Sequence, residues 1–154
     1  RSEIQHRITA ANKKYSESPD SVKAPSLIML DIDDFKKVND TFGHHEGDVV
    51  IRKISDIMRE QCAKVSEDIS IGRWGGEEFL ILIPKDIKGG EDMPENLRRA
   101  VEAESLTFED NDIAVTVTVG VSFREEGQSV DKWIQTVDEK LYIGKNSGKN
   151  KVVS

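Results

Sequence analysis

At 154 residues, with 36% hydrophobic and 33% charged residues, the chain is long enough for one globular domain with a core of its own. A net charge of −7 argues against an extended nucleic-acid surface, no apolar run approaches the ~18 residues of a membrane span, and a single cysteine, Cys62, excludes a disulfide framework or cysteine metal cluster. The expectation is a cytoplasmic domain without signal peptide, membrane contact or nucleic-acid partner, Cys62 being a small apolar filler.

Residues 1–17 read as a helix, because Ile4, Ile8 and Ala11 recur at three- and four-residue spacing. Pro19 and Pro25 bracket a loop. Leu27-Ile28-Met29-Leu30-Asp31-Ile32-Asp33 is a short apolar run suited to a buried strand. A short helix over 35–40 and a glycine-containing loop follow, and then Val50, Ile54, Ile57 and Met58 mark a helical stripe. Segments 69–74 and 78–83 flank Gly75-Gly76, a hairpin signal. Residues 94–106 read as helix, 114–123 as a strand alternating Val and Thr, 130–142 as helix and 151–153 as a last strand. The order αβααββαβαβ predicts a single-domain α/β sandwich. Its central sheet is mixed and antiparallel-containing, flanked by helices, and not doubly wound.

Two features carry chemistry. Asp31 and Asp33 end an apolar strand, where period-two geometry puts both on one face and Ile28, Leu30 and Ile32 on the other. Paired carboxylates suit a hard cation, although Asp33 or Asp34 could equally cap the helix that begins near Phe35. The second feature is Gly75-Gly76-Glu77-Glu78-Phe79, a tight turn carrying two acids ahead of a strongly apolar strand. Either acid alone could be a gatekeeper on a solvated hairpin. Together, acids on one strand facing acids on a hairpin describe a palm-type nucleotidyl-transfer centre.

Gly-Gly-Glu-Glu-Phe is an accepted variant of the signature that names the GGDEF family of diguanylate cyclases, and the chain resembles that family at several points in order. Arg73-Trp74 is similar to its arginine–aromatic lead-in. The run from Asp31 to Asp40 resembles its first strand and helix, and Gly43-His44-His45-Glu46-Gly47-Asp48 its Gly-His-x-x-Gly-Asp loop. Thr118-Val119-Gly120-Val121-Ser122 is similar to a later strand. Asp138, Leu141-Tyr142, Lys145 and Gly148-Lys149-Asn150 are similar to the closing helix and turn.

The resemblance implies a fold like the adenylyl cyclase and polymerase palm, and condensation of two GTP into cyclic di-GMP. It implies magnesium, with manganese as an alternative, two ions per active site. Asp31, the backbone carbonyl of Ile32, Glu77 and Glu78 are the implied metal ligands, and Glu77 and Glu78 share assistance to deprotonation. Asn39 and Asp48 are the implied guanine readers, supported by His44. Lys36 would stabilise phosphate charge during transfer, Lys145 and Lys149 would grip the terminal phosphates, and Phe35 and Ile51 suit a base-pocket wall or the core. A homodimer is implied for catalysis, with an upstream sensory or receiver domain in the full-length protein. The rival reading is a non-catalytic GTP-binding or interaction module on the same fold. Its degenerate members lose the acids or the guanine pair, and both are present here.

The sequence departs from the family pattern in three places. The usual Asp-x-Leu-Thr opening turn is absent before Arg1, so residues 1–154 are expected to be the family domain lacking its start. Lys149 stands where arginine is common, which keeps the charge and loses bidentate geometry. The Arg-x-x-Asp pair of the usual inhibitory site aligns with Ser66 and Ile69, so product inhibition there is expected to be missing.

Overall fold

The computed structural model describes residues 1–18, 24–104, 106–108 and 111–154, so Pro19 lies outside them. In chain order the elements are α1 (Ser2–Glu17), β1 (Ser26–Ile32), α2 (Phe35–Phe42), α3 (His44–Ala63), β2 (Ser70–Gly75), β3 (Glu78–Ile83), α4 (Met93–Ala103), β4 (Leu106–Phe108), β5 (Asn111–Ile113), β6 (Val117–Phe123), α5 (Val130–Asn146) and β7 (Val152–Val153). None of these helices is long and apolar enough to cross a membrane.

Five strands form the main sheet in the order β2-β3-β1-β6-β7. β1 runs antiparallel to both neighbours, β2 and β3 form an antiparallel hairpin, and β7 joins β6 in parallel. The sheet is therefore mixed, as expected. Its central strand is apolar almost throughout because helices cover both faces. On one face Ile28, Leu30, Ile32, Phe79 and Ile81 pack with Val50, Ile54 and Met58 of α3 and Leu97 and Val101 of α4. On the other, Leu27, Met29, Leu80 and Leu82 meet Ile4 and Ile8 of α1 and Trp133, Val137 and Leu141 of α5. Trp133 is fully buried and its indole N–H donates to the Ser122 carbonyl at 3.0 Å. Cys62 and Ile51 are core residues, and burial pushes the Cys62 thiol up to about 12.

Several boundaries differ from the sequence reading for local reasons. The segment 94–106 does not stay helical: α4 ends at Ala103, and the β4–β5 hairpin, in register Leu106↔Ile113, replaces the expected continuation. β6 begins at Val117 instead of 114, although its contact with β1 runs one step further, the Asp33 N–H donating to the Thr116 carbonyl at 2.9 Å. α5 continues past Tyr142 through Gly144, which lies buried in the helix against Thr118. The segment around His44 and Asp48 is the opening of α3 instead of a loop, with Gly43 at φ 97 making the corner after α2.

Gly120 sets how closely α5 can approach the sheet. A Cβ there would lie 2.7 Å from both the Leu141 nitrogen and the Val137 oxygen, which are helix backbone and cannot rotate away. Gly120→Ala is expected to push α5 off β6 and to destabilise the domain by about 1–3 kcal/mol, the usual cost of overpacking. Urea unfolding monitored by tryptophan fluorescence checks this; an unchanged midpoint would contradict the close approach.

Candidate active site

The end of β1 brings three carboxylates together. Asp31 lies directly opposite Glu78 in the β1–β3 ladder, and Glu77 occupies the turn just before it. Like charges facing each other across a ladder destabilise a sheet, so folding alone gives no reason for them. Burial pushes the Asp31 carboxyl up to about 7; Lys145 opposes this, while Glu77, Glu78 and Asp33 add to it. Glu78 is also raised, first by burial and then by Asp138 and Glu77, against Lys145 and Arg1.

The hairpin that carries Glu77 is shaped by its glycines. Gly76 adopts φ 45, and open space lies where a side chain at Gly75 or Gly76 would stand. The Arg73 guanidinium closes the turn by donating to the Gly76 carbonyl at 2.8 Å. A register shift between Arg73 and Gly75 marks a bulge at Trp74, whose ring is covered by the Arg1 guanidinium at 3.8 Å.

Asp33 lies one residue beyond β1 and is almost fully buried. Its Oδ1 accepts from Thr118 Oγ1 at 2.6 Å and from Lys145 Nζ at 2.7 Å. Its Oδ2 accepts from Thr116 Oγ1 at 2.7 Å and from the Asn150 N–H at 2.9 Å. Burial raises this carboxyl, but Lys145 and the two threonines outweigh it and hold Asp33 below the ordinary range. The helix-cap alternative is thereby corrected: neither Asp33 nor Asp34 caps α2 with its side chain. Asp33 instead joins β1, β6, α5 and the Gly148–Asn150 turn.

Lys145 Nζ also reaches the Ile32 carbonyl at 3.3 Å and Asp31 Oδ2 at 3.8 Å. The lysine therefore rests among groups expected to be metal ligands. Among the described residues no three acidic, histidine or cysteine side chains gather as a ligand set. Asp31 Oδ1 is nevertheless buried without a hydrogen-bond partner, which suits a cation.

The expected guanine readers form a second cluster at the α2–α3 corner. Asn39 packs against Gly47, the residue before Asp48: a Cβ on Gly47 would lie 1.9 Å from Asn39 Oδ1 and 3.2 Å from Phe35 Cζ. Asn39 Oδ1 is the second buried acceptor without a partner. His44 and Asp48 are exposed in the first turns of α3, Lys36 is exposed on α2, and Phe35 is half-buried against the core. Lys149 lies apart from Lys145, paired at 2.7 Å with Asp34, which raises its pKa. Sequence reasoning missed the Asp33 network, the influence of Asp138 on Glu78 and the Asp34–Lys149 pair. The available signals were Thr116-x-Thr118 opposite a strand-end aspartate and a glycine beside two polar residues at 148–150.

Comparison with known proteins gives a consistent result. The family described as "Diguanylate cyclase, GGDEF domain" matches residues 1–151. Diguanylate cyclase A of Treponema denticola is 33% identical over 129 residues, covering 82% of this chain and 34% of that protein. The GGDEF domain of DgcB from Caulobacter crescentus, solved with c-di-GMP, superposes with a TM-score of 0.90 at 29% identity, over 99% of this chain and 88% of that one. Diguanylate cyclase SiaD of Pseudomonas aeruginosa, solved with its activator SiaC, gives 0.90 at 32% identity, over 99% and 57%. The chain spans about a third of the length of the curated relatives it matches. With the signature hairpin set against the end of the central strand and the family match running nearly end to end, the chain belongs to the GGDEF diguanylate cyclase domain family.

Proposed function

We propose that this domain condenses two GTP into cyclic di-GMP with release of two pyrophosphates. The observation that carries the reading is the identity of the orphaned groups. Among the described residues, the buried side-chain acceptors without a partner are Asp31 Oδ1 and Asn39 Oδ1. Each leaves about 1–3 kcal/mol of desolvation unrecovered in the free domain. A divalent cation would satisfy the first and a guanine N–H the second, so one Mg–GTP would meet both demands. A non-catalytic module has no need of the Asp31–Glu78 repulsion, and the presence of both the orphaned acid and the orphaned amide supports the enzyme.

Asp31, the Ile32 carbonyl, Glu77 and Glu78 would hold magnesium, two ions in this reading with manganese as an alternative. That metal would supply charge neutralisation at the triphosphate and a lowered pKa for the attacking 3′-hydroxyl. The protein's own groups do the rest. Asn39 and Asp48 offer an acceptor amide oxygen and a carboxylate to the guanine N1–H and N2–H₂, with Phe35 as wall and His44 at the rim. Lys36, Lys145 and Lys149 would take the phosphate charge, Lys145 from its place beside Asp31 and Asp33. Glu77 and Glu78, the former preferred, would receive the proton of the attacking hydroxyl. One domain offers one such cleft, so a second copy must present the other GTP for each 3′-hydroxyl to reach the opposite α-phosphate. In a full-length protein an upstream sensory or receiver domain would control that pairing.

Base selectivity is read most directly by binding. With Mg²⁺, the domain should bind a non-hydrolysable GTP analogue at least about tenfold more tightly than the ATP analogue, since a mismatched base leaves buried groups unpaired. Gly47→Ala, which must displace the Asn39 amide, should erase most of that preference. Equal affinities in wild-type calorimetry would remove guanine from the assignment.

Metal binding should depend on pH through Asp31. Its carboxyl is raised to about 7, so below that pH a cation must displace a proton. The sign follows: in the metal-free domain the protonated form is favoured below pH 7, and the stability it contributes, fully present below the ordinary carboxylate range, is lost as pH rises through 7. Magnesium alone should therefore bind about tenfold more tightly at pH 8 than at pH 6. Its thermal stabilisation of the domain should be larger at the higher pH. A magnesium effect equal at both pH values would place the cation away from Asp31.

A further inference from the structure

The ion pair between Asp34 and Lys149 is built more deliberately than an ordinary surface contact. Asp34 Oδ1 meets Lys149 Nζ at 2.7 Å, although both side chains are largely exposed. Both residues hold positive φ, 54 for Asp34 and 60 for Lys149, a conformation that disfavours side chains other than Gly, Asn and Asp. Asp34 occupies the N-cap position of α2, yet its carboxylate makes no cap hydrogen bond and goes to the lysine instead. The adjoining residues explain the alignment. Buried Asp33 accepts from the Asn150 N–H at 2.9 Å, clamping the two turns together so that the residue after Asp33 and the residue before Asn150, Asp34 and Lys149, face each other. Such a pair is preorganised by the core behind it and loses less side-chain entropy than a free surface pair.

We propose that Asp34 competes with the terminal phosphates of the substrate for Lys149, setting triphosphate affinity by occupying that lysine in the free domain. The inference rests on the function proposed above, in which Lys149 receives those phosphates. An incoming triphosphate must take the lysine from a carboxylate held at hydrogen-bond distance, so part of its attraction is spent on exchange. After transfer, the departing pyrophosphate is replaced on Lys149 by Asp34, which leaves no uncovered cation to retain product. Asp34 touches neither base nor reacting atoms in this arrangement. Its effect belongs to KM and to binding, with little change in kcat.

Asp34→Asn keeps shape and tolerance of positive φ while removing the charge. In calorimetry with Mg²⁺, it should tighten binding of a non-hydrolysable GTP analogue by roughly two- to fivefold, the range open to an exposed ion pair. GMP, which lacks the terminal phosphates, should bind both proteins alike, and the gain should shrink as salt rises. A double-mutant cycle separates competition from plain repulsion: in a Lys149→Ala background Asp34→Asn should no longer tighten binding. Unchanged or weaker triphosphate binding by Asp34→Asn overturns the proposal, and so does a gain that persists undiminished without Lys149. The parent reading is judged separately by the GTP-to-ATP ratio. If that ratio is one, the Asp34 comparison can still be read with the ATP analogue, so the two failures are distinguishable.

Discussion

The buried carboxylate of Asp33 is the interaction on which the site depends. It accepts four hydrogen bonds, from Thr116, Thr118, Lys145 and the Asn150 N–H, and so ties the end of the central strand to β6, α5 and the closing turn. A buried charge is tolerated only when paired and hydrogen-bonded, and removing one partner of such a pair typically costs about 3–5 kcal/mol. The same bonds fix function-bearing neighbours on either side. Asp31 and the Ile32 carbonyl precede Asp33, Asp34 and α2 follow it, and Lys145 is drawn onto it from a different helix. The network extends outward as well: Asn150 accepts from Arg98, which pairs with Glu95 and Glu102 along α4.

Beside this satisfied carboxylate stands an unsatisfied one. Asp31 faces Glu78 across the sheet with Glu77 adjacent, and its Oδ1 finds no partner. The contrast between the two aspartates, two residues apart, separates structure from chemistry. Asp33 is held below the ordinary carboxylate range by donors aimed at it, whereas burial among other acids carries Asp31 to about 7. Stability given up at one position and recovered at the next is the pattern expected where a fold keeps a charged site ready for ligand.

Much of the fold could be read from the sequence because the core obeys simple periods. Ile4, Ile8 and Ala11 on α1, and the apolar run of β1, occupy the faces their spacing requires. β3 falls on residues 78–83 because the two glycines before it punctuate the chain so strongly. The β4–β5 hairpin was not legible, since three-residue strands lack a period long enough to outweigh a preceding helix. At the site, residue types pointed to Asp31, Glu77, Glu78, Asn39 and Asp48, because amide and acid chemistry is local to a motif. The partners of Asp33 and of Lys149 were not legible, for they lie between 83 and 117 residues away along the chain and meet only through the fold. The two aspartates looked alike in sequence, and it is the four donors aimed at Asp33 that distinguish the structural hub from the orphaned acid.

Product analysis tests the account most directly. The domain, joined to a dimerising helix so that two clefts can face each other, is incubated with GTP and Mg²⁺ and the products are separated by chromatography. The account predicts cyclic di-GMP with two pyrophosphates released for each molecule formed, and none from Glu77→Gln under the same conditions. GTP recovered intact from the paired wild-type domain, or equal product from Glu77→Gln, would contradict it.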